Sequence, residues 1–126
     1  MNLKRKPTEA ELEILQILWE QGPCSVRYIN DKLNESRDVG YTTTLKIMQI
    51  MLEKQLLMRE IKENKHIYAA GITKKEAQTV LIDRMVTTVF SGSASNLIMQ
   101  ALGNYKTSRK ELEMIKQLIN KLENEK

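Results

Sequence analysis

Apolar residues recur along this chain with two different periods, and the switches between them outline its elements. In "PTEAELEILQILWEQGP", Leu12, Leu15, Leu18 and Trp19 fall at helical spacing. Thr8 stands before them as N-cap, and Glu11 three positions on completes a capping-box pattern. Gly22-Pro23 ends this helix. "SVRYINDKLNE" predicts a second helix capped by Ser25, with Val26, Ile29 and Leu33 on one face, and residues 36–40, "SRDVG", form a loop. A third helix is predicted from near Thr42. Its Leu45, Met48, Leu52 and Leu56 share a narrow arc and face a core, while Thr43, Lys46, Ile47, Ile50 and Lys54 lie opposite. Alternation then takes over: "LMREIK" and "HIYAAG" read as strands joined by a turn at "ENK".

Beyond residue 72 the helical period returns. "TKKEAQTVLIDRMVTTVF" opens on a second capping-box pattern, Thr73 and Glu76, and carries a broad apolar band of Leu81, Ile82, Met85, Val86 and Val89. "SGSAS" interrupts it, "NLIMQALGN" reads as a short helix ending at Gly103, and "SRKELEMIKQLINKLENEK" is a last helix with a third box, Ser108 and Glu111. The fold class expected is mostly α with a small β hairpin. Residues 1–72 form a winged helix-turn-helix domain, and residues 73–126 a helical dimerisation domain.

The second domain carries the assembly expectation. Three short amphipathic helices without a second layer bury poorly alone, and a second copy of the chain is the economical cover. The contact residues expected are Leu81, Met85, Val86, Val89, Phe90, Leu97, Ile98, Leu112, Ile115, Ile119 and Leu122. The alternative is that these helices fold back on the winged domain.

Charge refines the picture of the first domain. The chain has a net charge of +4, but residues 1–72 hold 11 basic and 10 acidic side chains, so a nucleic-acid footprint there must come from placement. Thr42, Thr43 and Thr44 open the third helix, where free amides and the positive end of the dipole favour phosphate. Threonine hydroxyls bond phosphate or base edges, and threonine and isoleucine methyls, as at Ile47, meet thymine methyls. Lys46 adds charge one turn in, and Lys62, Asn64, Lys65 and His66 form a polar wing tip within reach of a flanking backbone. Each feature also has an ordinary reading as capping or solvated surface. The ordered combination points to double-stranded DNA.

Other chemistry is thin. No Gly-rich phosphate loop, paired His ligands or Cys–His pair with an orienting acid is seen, so neither enzymatic activity nor a metal or other cofactor is expected. The lone Cys24 has no disulfide partner, which with no signal peptide or membrane-length apolar run gives a cytoplasmic expectation without membrane insertion. Two rival functions remain: a protein-interaction adaptor on a winged-helix scaffold, favoured by the outward Ile47 and Ile50, and a ligand-responsive winged-helix regulator.

Four segments, "PTEAELEILQILWEQGPCSVRYI", "VGYTTTLKIMQIMLEKQLL", "KHIYAAGITKKEA" and "FSGSASNLIMQAL", resemble the penicillinase-repressor family. These are winged-helix repressors of the BlaI/MecI type, with the copper-responsive CopY proteins as relatives. The resemblance implies a homodimeric transcriptional repressor that binds a palindromic operator through the third helix and dimerises through its C-terminal helices. It also implies derepression when a membrane sensor with a zinc metalloprotease domain triggers cleavage, here near Gln100–Ala101. The family's cleaved bond is typically Asn-Phe, whereas this chain has Gln-Ala. An arginine common late in the family's third helix corresponds to Met51, and the cysteine pairs of the copper-responsive branch are absent.

Overall fold

The computed structural model describes residues 6–126. Its elements run α1 (Glu9–Gln21), α2 (Val26–Leu33), α3 (Tyr41–Glu53), β1 (Leu57–Lys62), β2 (Lys65–Ala70), α4 (Lys74–Thr88), α5 (Ala94–Asn104) and α6 (Arg109–Asn124). At the start of α1 the Glu11 amide donates to Thr8 Oγ1 (3.2 Å) and the Thr8 amide donates to Glu11 Oε1 (2.9 Å), satisfying two amides that the helix leaves without partners. The boxes at Thr73–Glu76 and Ser108–Glu111 form in the same way. All three capping boxes expected from the sequence are present.

Ile14, Leu15 and Leu18 of α1, Ile29 and Leu33 of α2, Met48 and Met51 of α3, and Leu57 and Tyr68 of the hairpin make one apolar core. The hairpin is antiparallel, with Leu57 opposite Ala70 and Arg59 opposite Tyr68. Tyr68 also exchanges two backbone hydrogen bonds with Cys24 (2.8 and 3.0 Å), so the segment after Pro23 adds a one-residue bridge beside β2. Trp19 donates from its indole nitrogen to the Ile72 carbonyl (3.0 Å), tying α1 to the exit of the hairpin.

The end of α3 is a Schellman motif. Leu56 N donates to Met51 O (2.9 Å) and Gln55 N to Leu52 O (3.1 Å), with Gln55 at φ 66°. Gly71 then passes so close that an added Cβ would sit 2.7 Å from the Gln55 carbonyl oxygen. Only glycine fits between the end of β2 and this turn.

The chain divides into two compact units, the first ending at Asp83 and the second spanning Arg84–Lys126. The division lies within α4, past the 72/73 boundary expected from the sequence. Ala77 and Val80 explain the difference: they are buried, and Ala77 belongs to the core cluster of the first unit. In the second unit α4 ends with Gly92 N donating to Val86 O (2.7 Å), Ser93 caps α5 and Ser108 caps α6. No residue from 84 to 126 is buried.

Candidate nucleic-acid interface

A short polar network fixes the start of α3. Asn30 of α2 donates from Nδ2 to Thr44 Oγ1 (2.8 Å) and to the Val39 carbonyl (3.0 Å). Asn34 takes Val39 from both sides, accepting its amide on Oδ1 (3.0 Å) and donating to its carbonyl (2.8 Å). These bonds join α2, the loop and the first turn of α3. The entry angle of α3 is therefore set by hydrogen bonds as well as by packing.

The network also corrects the expected face of α3. Its buried positions are Thr44, Met48 and Met51, a stripe turned by somewhat less than one residue from the one predicted. Thr44 is wholly buried with its hydroxyl bonded to Asn30, so it does not reach a ligand. A threonine tolerates the core because that bond offsets its desolvation. Ile47 is half-buried and packs on the core, and is not an outward residue. Leu45 and Leu52 are also half-buried against the core, on its flanks. Lys54 is not displayed either, since its ammonium meets both oxygens of Glu11 (2.8 and 3.0 Å). Met51 is fully buried.

What α3 exposes is Tyr41, Thr42, Thr43, Lys46, Gln49, Ile50 and Glu53. Threonine hydroxyls, one lysine and a glutamine amide suit duplex edges and phosphates. Gln49 was missed by the sequence reading, although it lies one turn beyond Lys46.

The wing turns through Glu63 and Asn64, both at positive φ (50° and 64°), as a two-residue hairpin of right-handed twist requires. Lys62 then faces Lys65, and His66 faces Ile61. Lys62, Asn64, Lys65 and His66 are all exposed. Opposed like charges cost energy unless an anion joins them. Here Lys62 also meets Glu60 at 3.3 Å.

Between the wing and the first turns of α2 and α3 lies a cleft of about 570 Å³. Ser25, Arg27, Tyr41 and Leu45 line one part of it, and Asn64, Lys65, His66 and Tyr68 the other. The Arg27 guanidinium carbon stands 5.3 Å from the centre of the Tyr41 ring. Arg27 and Tyr41 escaped the sequence reading because nothing local links residues fourteen positions apart.

Four cations of the first unit are held in ion pairs. Lys32 pairs with Glu35, Arg37 with Glu13, Lys54 with Glu11 and Lys62 with Glu60. Among the described residues no carboxylate forms an ion pair with Arg27, Lys46, Lys65 or His66. Arg27, Lys46 and Lys65 thus lie beside α3 and the wing without an ion pair among the described residues, as Lys6, Arg59, Lys74 and Lys75 do elsewhere in the unit.

In the tail, Met85, Val89, Ile98, Leu112, Ile119 and Leu122 are exposed, while Leu81, Val86, Phe90, Leu97 and Ile115 are half-covered. Leu81 falls in the first unit and the others in the second. Gln100 and Ala101 lie inside α5, both exposed. No metal-capable group of His, Cys, Asp and Glu is found among the described residues, and none of their helices is long and apolar enough to cross a membrane.

Comparison with known proteins gives the lineage. The penicillinase repressor of Staphylococcus aureus is 19% identical over 111 residues, covering 88% of each chain. The transcriptional regulator BlaI of Mycobacterium tuberculosis is 26% identical over 87 residues, covering 68% of this chain and 63% of its own. Reduced AbfR bound to DNA overlaps at a TM-score of 0.46 and 14% identity, covering 94% of this chain and 72% of that one. A family model described as penicillinase repressor matches residues 7–121. With all but the first six and last five residues matched, the chain belongs to the penicillinase repressor family.

Proposed function

We propose that this protein is a transcriptional repressor that binds a palindromic duplex as a homodimer. The observation that carries the reading is the exposed row Thr42, Thr43, Lys46 and Gln49 on a helix whose start is held by the Asn30 network. The wing residues Lys62, Asn64, Lys65 and His66 contact the flanking backbone. The tail is the dimer contact. Covering one large apolar side chain is worth about 1.5–3 kcal/mol, and a unit with no buried residue leaves that gain for a second copy.

Derepression by a partner membrane metalloprotease sensor, with cleavage at Gln100–Ala101, follows the same logic. Joining two half-site contacts in one molecule raises affinity by about 10²–10⁴-fold, and severing the tail forfeits that gain. Because this bond lies within α5, the helix opens locally before it is cut. Exposed Ile50 favours a second reading, an adaptor that binds another protein.

Sedimentation combined with duplex titration tests the proposal. Leu112→Asp with Ile119→Asp is expected to give monomers with weakened operator binding. An unchanged dimer would refute the tail assignment, and a duplex affinity insensitive to salt would favour the adaptor.

A further inference from the structure

We propose that Trp19 is a positioning residue that sets which half-site spacing the protein accepts, by holding the joint through which α4 leaves the first unit. This rests on the reading of a dimer on a palindromic duplex and adds a residue outside the DNA-facing surface. Three consecutive residues between β2 and α4 are each held. The Gly71 amide donates to the Leu56 carbonyl (2.7 Å), and Gly71 is wedged against the turn that ends α3, with no room for a Cβ. The Ile72 side chain is buried in the core, and its carbonyl accepts the Trp19 indole N–H (3.0 Å). Thr73 and Glu76 then exchange amide-to-side-chain bonds of 3.0 Å each, which fixes the first turn of α4.

Beyond the joint the grip on α4 is narrow. Ala77 and Val80 are the buried residues of this helix, which runs unbroken from Lys74 to Thr88. Swinging α4 about its first turn must therefore break the indole bond or drag Ile72 from the core. Trp19 itself is half-buried beside Ala70, Thr73 and Lys74, apart from the exposed row of α3 and the wing tip. Its influence on binding passes through geometry. Two heads joined by their tails meet a duplex only at the separations and rotations that their joints allow. One base pair added between half-sites turns one of them by about 35° and moves it about 3.4 Å. A stiff joint penalises that change, whereas a loose one spreads each head over more orientations and lowers the effective concentration at the matched spacing.

The test uses the full chain and palindromic duplexes that it enriches from a randomised pool, with versions carrying one scrambled half-site or one added central base pair. Trp19→Phe keeps an aromatic ring and removes the donor. It is expected to leave affinity for the single half-site within about twofold, to weaken the matched palindrome by about three- to tenfold, and to shrink the penalty for the added base pair by a similar factor. Ile14→Val, which trims the same helix elsewhere in the core, is expected to keep the wild-type penalty. Circular dichroism checks folding, and if Trp19→Phe does not fold, Val80→Ala, at the other hold on α4, carries the same expectation. Trp19 is the sole tryptophan, so the one indole N–H signal of the wild type is expected to exchange slowly with deuterium. Exchange as fast as that of free indole, or an undiminished penalty in the variant, overturns the role of Trp19 and leaves the repressor reading standing. Equal weakening at single and paired half-sites does the same. Enrichment of no palindrome by the wild type overturns both.

Discussion

Lys54, at the C-cap of α3, donates to both oxygens of Glu11, the carboxylate that also caps α1. One acid therefore ends one helix and begins another. The Glu11 side chain is only 5% exposed, so it depends on its partners, whereas Lys54 keeps 31% of its surface in water. Lys54→Met is expected to destabilise the first unit by about 2 kcal/mol, less than the loss of a fully buried pair. A urea-unfolding midpoint unchanged by the substitution would show that the bond contributes nothing.

The turn after α3 holds two opposite demands on backbone shape. Gln55 occupies the left-handed region, and Gln55→Gly is expected to stabilise the fold by about 0.5–1 kcal/mol. Gly71→Ala pushes a methyl against the Gln55 carbonyl and is expected to cost about 1–3 kcal/mol. Thermal melts of the two variants should move in opposite directions.

Thr43 and Thr44 are neighbours with different duties. Thr44→Val removes a hydroxyl bonded to Asn30 and is expected to lower stability by about 1 kcal/mol while sparing duplex affinity per folded molecule. Thr43→Val, on the exposed row, is expected to weaken duplex binding at unchanged stability. Calorimetry and titration on the same samples separate the two.

Cys24 is half-buried, and burial pushes its thiol above its usual pKa. The thiol stays protonated in the folded chain at a pH where the unfolded chain already ionises. Unfolding thus releases a proton there, and stability falls as pH rises past the unfolded thiol's pKa. Alkylation by iodoacetamide at neutral pH should be slower for the native chain than for the chain in urea. Equal rates would contradict this.

Much of the fold was legible because its signals are local. The capping boxes at Thr8, Thr73 and Ser108, the alternation in both strands and the halt at Gly22-Pro23 each lie within a few residues. The face of α3 was misread because Thr44 is polar by type, and its burial depends on Asn30 in another helix. The bridge from Cys24 to Tyr68 and the stacking of Arg27 on Tyr41 are likewise products of tertiary approach, with no periodicity to announce them. Glu63 at positive φ follows from the length of the turn and not from any preference of glutamate.

The unburied tail has a consequence for timing. If two tails meet to hide one greasy seam, as proposed, the working unit is the pair, and the share of wholly intact pairs varies with the square of the intact fraction. If one damaged member spoils a pair, nicking half the molecules leaves only about a quarter of the couples whole. Under the proposed dimer, modest damage to the tail is expected to lift repression more sharply than damage to lone heads would.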